Sequence, residues 1–99
     1  MDDPSGRCVW VWAGEKSRPG VVLRLNNQGR AVILWGTKTE RAQLAHVRVD
    51  PKTPQGHALG LSVPTYFYTG NLVTVDPTTL RVGGHCPLPL LLGLRRLVG

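Results

Sequence analysis

Basic and hydroxyl side chains in two short segments are the residues best suited to chemistry. Lys16 and Arg18 lie where a polar link runs into an apolar segment, and Thr37, Lys38 and Thr39 directly follow another apolar segment. Such side chains can grip a phosphate and stabilise the charge that develops on it, while RNA brings its own nucleophile in the 2′-hydroxyl. These residues therefore predict phosphoryl chemistry on RNA that needs no metal.

One tyrosine and three histidines extend this set. Tyr68 can donate a hydrogen bond or stack on a base. His57 lies in a predicted loop and is the best candidate for a general base. His46, on a predicted strand, is expected to be structural or exposed, and His85, beside a predicted helix, is expected to be a local hydrogen-bond partner. The predicted RNA-binding residues are Lys16, Lys38, Thr39, Tyr68 and His57.

Other kinds of site find no support in the sequence. It has no Gly-rich phosphate loop and no HExxH or GxSxG motif. None of its 6 acidic residues forms an evident catalytic pair, and Asp76 begins a predicted turn. Cys8 and Cys86 form no CxxC pair, so we expect two buried, unreactive thiols, and with His85 they are too few for zinc. The sequence therefore predicts neither a metal nor a cofactor.

The charge of the chain predicts a polyanionic partner. The 99 residues carry 12 Lys and Arg against 6 Asp and Glu, a net charge of +6, and arginine predominates. A guanidinium can hold a phosphate through two hydrogen bonds, which favours nucleic acid or an acidic protein. The length fits one domain over residues 1–99, with residues 1–6 as a loose terminus. Without a secretory signal or an apolar run of ~18 residues, a cytoplasmic protein independent of membranes is expected.

Short strands must position these side chains. Apolar, β-branched segments bounded by Gly, Pro and Asn predict strands at Cys8–Trp12, Gly20–Leu25, Arg30–Gly36, His46–Val49, Thr65–Tyr68, Leu72–Val75 and Leu80–Val82. The third contains an apolar run, which indicates burial on both faces. Pro19 is expected to start a strand because proline cannot pair inside a sheet. Residues 50–56 are predicted as a loop and 76–79 as a turn, so the fold should be mostly β, a small barrel.

A single strong helix is predicted over residues 87–98. Pro87 and Pro89 suit a first helical turn, where a missing N–H costs little. Arg95 and Arg96 suit the C-terminal end, where cations are favourable. The remaining residues are almost all apolar, so we expect the helix to be buried on most sides, against the sheet or a second subunit.

Several segments, in order along the chain, resemble the PemK/MazF family of toxin endoribonucleases from bacterial toxin–antitoxin modules. The segments are Gly6–Val11 (GRCVWV), Arg18–Leu23 (RPGVVL), Ala31–Thr37 (AVILWGT), Gly60–Phe67 (GLSVPTYF), Leu72–Asp76 (LVTVD), and the C-terminal helix with Gly83 or Gly84 before it. Their order and spacing together carry the resemblance.

The resemblance implies an SH3-like barrel with a C-terminal α-helix, working as a homodimer. It implies metal-independent cleavage of single-stranded RNA through the 2′-hydroxyl, leaving a 2′,3′-cyclic phosphate and a 5′-hydroxyl. The catalytic roles would pass to Arg18, as acid or phosphate clamp, and to Thr37, which would steady the charged phosphate. An acidic antitoxin protein would hold the toxin in check, which suits a charge of +6.

Two departures from the family pattern leave other functions open. Only Ala13–Ser17 joins the first two strands, where the family usually has a long loop, and Tyr68–Gly70 carries no charge where some members have a second arginine. A barrel that binds nucleic acid without cutting it is one alternative. A protein-directed poison of a topoisomerase is another, although such relatives depend on C-terminal aromatic residues and residues 95–99 have none.

Overall fold

Strands make up most of the regular structure, as predicted. A computed structural model describes residues 3–99, so Met1 and Asp2 of the predicted loose terminus lie outside the described part. The elements are β1 (Arg7–Ala13), β2 (Lys16–Leu25), β3 (Ala31–Thr37), β4 (His46–Val49), α1 (Pro54–Leu59), β5 (Thr65–Val75), a 3₁₀ turn (Pro77–Thr79), β6 (Arg81–His85) and α2 (Leu88–Val98). The mostly β fold and its C-terminal helix are confirmed.

Within residues 3–99 the strands form one antiparallel sheet in the order β4-β5-β3-β2-β1-β6. This order has β4 and β6 at its two ends. Its largest irregularity lies in the β3–β5 pair, where Leu34 faces Leu72 but Gly36 faces Phe67. Residues 68–71 of β5 therefore bulge out of the pairing with β3, although Tyr68 still pairs with His46 of β4, and such bulges bend a sheet.

Both faces of the sheet are buried at its centre. On β1, Cys8 and Val9 point to opposite faces and both are buried, as period-2 alternation requires. Face 1 is covered by the helices; its core is Cys8, Val21, Leu23, Leu34, Val49, Leu59, Phe67, Cys86, Leu90, Leu91 and Leu94. Face 2 has a smaller core of Val9, Val11, Val22, Ala31 and Ile33. The predicted two-sided burial of the third strand is confirmed.

A tight hairpin joins β1 to β2. Gly14 has φ 60° and Glu15 has φ 69°, and a two-residue turn with both central φ angles positive is the type I′ form. Its twist matches that of the flanking strands, so the two strands pair from Ala13 and Lys16 onward. The hairpin thereby brings the start of β2 beside the end of β1.

The prediction that Pro19 would start its strand is wrong. Pro19 lies inside β2, opposite Trp10 of β1. Pairing of β2 with β3 begins only at Gly20, which faces Trp35. One side of β2 is therefore still an edge at Pro19, where a missing N–H interrupts no ladder.

The predicted loop over residues 50–56 is also wrong at its end, because α1 begins at Pro54. The Thr53 hydroxyl caps it by accepting from the Gly56 N–H at 3.1 Å. Gly60 ends the helix in the left-handed region at φ 71°. At Gly56 a Cβ would lie 2.6 Å from the Cα of Pro51, so only glycine allows this packing.

Three further boundaries differ from the prediction. The two strands expected at residues 65–68 and 72–75 are one strand, β5, since the bulge interrupts pairing without ending the strand. β6 continues through Gly83 and Gly84 to His85. Gly6 is held rather than loose, because its N–H donates to the carbonyl of Val22 and its carbonyl accepts from Cys86, both at 2.7 Å.

Helix α2 is buried on one side, not on most sides. Leu90, Leu91 and Leu94 pack into the core of face 1, while Leu88 and Leu92 are exposed. The rest of the chain thus covers only one side of α2, and burial of its other side against a second subunit stays a prediction. No helix of residues 3–99 has the length and apolar character needed to span a bilayer.

Candidate functional site

Arg18 and Thr37 meet where the start of β2 lies beside the end of β3. The Arg18 guanidinium donates through Nη1 to Thr37 Oγ1 at 3.3 Å and through Nε to the Ala13 carbonyl at 3.4 Å. It also lies over Trp35, 5.3 Å from the ring centroid, in the range of a cation–π contact. Of its five N–H donors these bonds use two, so the group is oriented and still has donors for a ligand.

Two clefts meet at this pair, one on each face of the sheet. Directly opposed residues of an antiparallel pair share a face, so Trp10 and Pro19 both belong to face 1. Arg18 directly precedes Pro19 on β2 and therefore points to face 2, where Trp35 lies beneath it. Arg18 and Thr37 border both clefts, which we name cleft A on face 1 and cleft B on face 2.

Cleft A has a volume of about 240 Å³. It contains Lys16 and Lys38, both predicted to bind RNA, beside the indole of Trp10. Its lining is Trp10, Lys16, Ser17, Arg18, Pro19, Gly36, Thr37, Lys38, Gly60, Leu61, Ser62, Val63 and Thr65. An aromatic ring, two ammonium groups and several hydroxyls thus face one opening.

Cleft B has a volume of about 410 Å³ and contains two residues that the sequence did not single out, Arg41 and Asn71. Its lining is Arg18, Trp35, Thr37, Thr39, Arg41, Leu44, Tyr68, Gly70 and Asn71. Arg41 lines this cleft, and its backbone N–H donates to the hydroxyl of Tyr68, in a region where the sequence showed no charge. No local pattern marks Arg41, because it lies in a segment without regular structure.

Tyr68 holds the wall of cleft B instead of presenting its ring. Only 5% of the residue is exposed, and its hydroxyl accepts from the Arg41 N–H and donates to the Thr39 carbonyl at 2.8 Å. The Thr39 N–H in turn donates to Thr37 Oγ1 at 3.3 Å. Tyr68 therefore ties the segment that carries Thr39 and Arg41 to the sheet.

No histidine of the described residues lines either cleft, although His46 packs behind the wall of cleft B. His57 is exposed on α1 and lines neither cleft. The His46 ring packs against Tyr66 and Tyr68 at 5.7 Å and 5.5 Å between centroids, and its Nδ1 is 2.7 Å from the Leu44 carbonyl. The structure thus brings no imidazole to the Arg18–Thr37 pair.

The two clefts are electropositive. Among the described residues, neither lining contains a carboxylate or an imidazole. The ion pair between Arg48 Nη1 and Asp50 Oδ2, at 3.6 Å, involves neither lining. The cations of the clefts therefore attract anions without an internal carboxylate to neutralise them.

Metal ligands and thiols do not contribute to this site. No group of three or more His, Cys, Asp or Glu within residues 3–99 is placed to hold a metal ion. Cys8 and Cys86 are buried free thiols in the core of face 1, as predicted. A hydrogen bond from Cys86 lowers the pKa of Cys8, while the same contact and burial raise the pKa of Cys86. Burial keeps both thiols from surface chemistry.

No protein-family model matches the chain, and no curated protein matches it. The likeness to PemK/MazF toxins therefore stays an expectation from the sequence segments. What the protein does must be inferred from the two clefts and the residues between them.

Proposed function

We propose that this protein binds single-stranded RNA across the Arg18–Thr37 pair and cleaves it through the 2′-hydroxyl, as the toxin of a toxin–antitoxin module. The carrying observation is the 3.3 Å hydrogen bond from Arg18 Nη1 to Thr37 Oγ1, which places a guanidinium and a hydroxyl together between two cationic clefts. Two residues far apart in sequence thus form one site at which a phosphate would bind.

Arg18 and Thr37 suit a phosphate whose charge grows during reaction. When the 2′-oxygen attacks, negative charge builds on the non-bridging phosphate oxygens, and donors fixed beforehand stabilise it most. The stacking of Arg18 on Trp35 and its bond to the Ala13 carbonyl fix the guanidinium before RNA arrives. Arg41, on the same cleft, adds a second positive charge. Arg18 would act as phosphate clamp and as proton donor to the departing 5′-oxygen.

The clefts offer no carboxylate or imidazole to take the proton of the 2′-hydroxyl. In this proposal, hydroxide or water takes the proton of the 2′-hydroxyl. The arginines lower the free energy of the negatively charged species that forms when the 2′-oxygen attacks the phosphate. The rate should then rise steadily with pH up to about pH 9, since a side-chain base near neutrality would instead give a plateau or a bell.

The test incubates pure protein with end-labelled single-stranded RNA and a chelator, and identifies the product ends. A 2′,3′-cyclic phosphate should appear, and one 2′-deoxy substitution at the cut site should block cleavage there. Arg18→Ala should lower the rate about 10²- to 10³-fold. Thr37→Ala should lower it less, and Thr37→Ser, which keeps the hydroxyl, should stay within a fewfold of the parent.

The matched control is Arg24→Ala, which removes an exposed guanidinium from the same strand but lines neither cleft. It should cleave at the parental rate. Equal cleavage by the parent and by folded Arg18→Ala would show that the catalytic assignment is wrong. In cells, induced expression should arrest growth, and Arg18→Ala or Thr37→Ala should relieve the arrest.

The missing base favours a second candidate function, binding of single-stranded nucleic acid without cleavage. Two cationic clefts with Trp10 and Trp35 in their walls combine charge with aromatic faces, as such binders require. Salt-sensitive binding of RNA that stays intact through long incubation would select this function.

The proposed toxin would form a homodimer and bind an acidic antitoxin. The cations without carboxylate partners in both clefts would suit an acidic peptide, and α2 exposes Leu88 and Leu92 on its outer side. Sedimentation of the pure chain measures its oligomeric state. A short acidic open reading frame directly upstream of the gene would supply the antitoxin for a co-purification test.

A further inference from the structure

Two exposed tryptophans stand on face 1 of β1. Trp10 is 44% exposed and Trp12 is 71% exposed, although Cys8 on the same face is buried. Alternate residues of a strand share a face with Cα atoms about 6.6 Å apart, so Trp10 and Trp12 occupy successive positions on face 1. Large aromatic side chains left exposed side by side mark a binding surface more often than a packing defect.

Trp10 is held in place as a wall of cleft A. A Cβ on Gly60, at the end of α1, would lie 3.9 Å from Trp10 Cζ2, so the link after α1 packs against one edge of the indole. Trp12 lies opposite Ser17, which lines the same cleft. Trp10 therefore lines cleft A, and Trp12 stands two residues farther along β1, outside the lining of the cleft and toward the β1–β2 hairpin.

The rest of cleft A complements an anion. Lys16 and Lys38 are both exposed and both line it, and no carboxylate does among the described residues. The hydroxyls of Ser17 and Ser62 add hydrogen-bonding groups. An aromatic face beside two ammonium groups fits a nucleotide, whose base stacks and whose phosphate is anionic.

We propose that cleft A holds the nucleotide adjacent to the one at the Arg18–Thr37 pair, with its base stacked on Trp10 and its phosphate between Lys16 and Lys38. The next base along the strand stacks on Trp12. This inference rests on the proposed function, because it takes single-stranded RNA as the ligand. Arg18 and Thr37 border both clefts, so one RNA strand passes from cleft B over β2 into cleft A.

The test measures binding apart from cleavage. The probe is a fluorescein-labelled 2′-O-methyl oligoribonucleotide, whose blocked 2′-oxygen cannot attack, titrated with protein and followed by anisotropy. Trp10→Leu keeps apolar packing against Gly60 but removes the aromatic face. It should weaken binding about 5- to 150-fold, the range for loss of one stacked base. Trp10→Phe should restore most of the affinity.

Matched variants distinguish the contribution of stacking to binding from that of charge and from the effect of any change at the surface. Leu72→Ala truncates another exposed apolar residue that lines neither cleft, and it should bind like the parent. Lys16→Gln and Lys38→Gln should each weaken binding and lower the slope of log affinity against log salt by up to about 0.7, as for one single-strand phosphate contact. Trp12→Leu should weaken binding only of oligonucleotides that are long enough to reach residue 12.

Each outcome decides between the two proposals. If Trp10→Leu and Lys38→Gln bind like the parent while Arg18→Ala binds weakly, cleft A is not a nucleotide site and the proposed function stands. If the parent binds no oligonucleotide, both proposals fall. If Trp10→Leu does not fold, as judged by circular dichroism, Lys38→Gln and Trp12→Leu still decide, because both side chains are exposed and lie outside the core.

Discussion

Gly36→Ala should destabilise the fold and separate the Arg18–Thr37 pair. Gly36 is the penultimate residue of β3 and lies opposite Phe67. A Cβ there would overlap the Cγ2 of Thr65 and lie 3.0 Å from the Cζ of Phe67. Both neighbours are buried, so neither can swing into solvent to make room.

The expected loss of folding stability follows from these contacts. Forcing one methyl into a packed site costs about 1–3 kcal/mol. For a domain of this length each kcal/mol lowers the unfolding midpoint by about 4–8 °C, so the midpoint should fall by about 5–20 °C. Moving Gly36 outward also moves Thr37, whose 3.3 Å bond to Arg18 is already near the 3.5 Å limit of a useful hydrogen bond. The proposed RNA cleavage should therefore drop at temperatures where the variant is still folded.

Thermal unfolding followed by circular dichroism measures the shift. Gly84→Ala is the control, since β6 leaves open space where its Cβ would be. Thr65→Ser removes the clashing methyl and keeps the hydroxyl that donates to the Val63 carbonyl, so it should recover part of the loss in a double-mutant cycle. If Gly36→Ala unfolds at the same midpoint as Gly84→Ala, the packing described at the end of β3 is incorrect.

Three further predictions test other parts of the structure. Glu15→Gly relieves a non-glycine residue at φ 69° and should raise stability by about 0.5–1 kcal/mol in urea unfolding, whereas Gly14→Ala, at φ 60°, should lower it. Tyr68→Phe leaves the Arg41 N–H and the Thr39 carbonyl without their partner; it should cost about 1–3 kcal/mol and speed hydrogen exchange at Arg41. Bonds from Thr78 lower the pKa of Asp76, so this carboxylate stabilises the fold above its unfolded pKa of about 3.9, and that contribution is lost as pH falls through the lower folded value. Asp76→Asn should therefore flatten the pH dependence of the unfolding midpoint below about pH 4; an unchanged acid profile would contradict this.

Elements with a strong local pattern were predictable. The apolar run of residues 31–36 gave a buried strand, and the leucine-rich C-terminus gave a helix, since each pattern has one good solution. Helix α1 was hidden because Pro54 and Gly56 are poor helix formers. Its cap at Thr53 and the close approach of Gly56 to Pro51 come from packing that a local pattern does not show.

The part of the site that lies at the ends of strands was predictable. Arg18 lies near the start of β2 and Thr37 at the end of β3, and antiparallel pairing of β2 and β3 puts these two ends side by side. The division into two clefts needs the register of the Gly14–Glu15 hairpin, which decides the face to which each residue points. Arg41 was out of reach, because a hydrogen bond from its backbone to Tyr68 in a distant strand sets its position.

The brevity of the β1–β2 hairpin sets how RNA would arrive and leave. With only Gly14 and Glu15 at its tip, this connection has no length to fold down over a ligand. Association should then be a single second-order step, with a rate that depends on encounter and on salt rather than on a slow closing motion. Turnover would be limited by chemistry or by dissociation of the strand, and stopped-flow binding traces should fit one exponential whose rate grows linearly with RNA concentration.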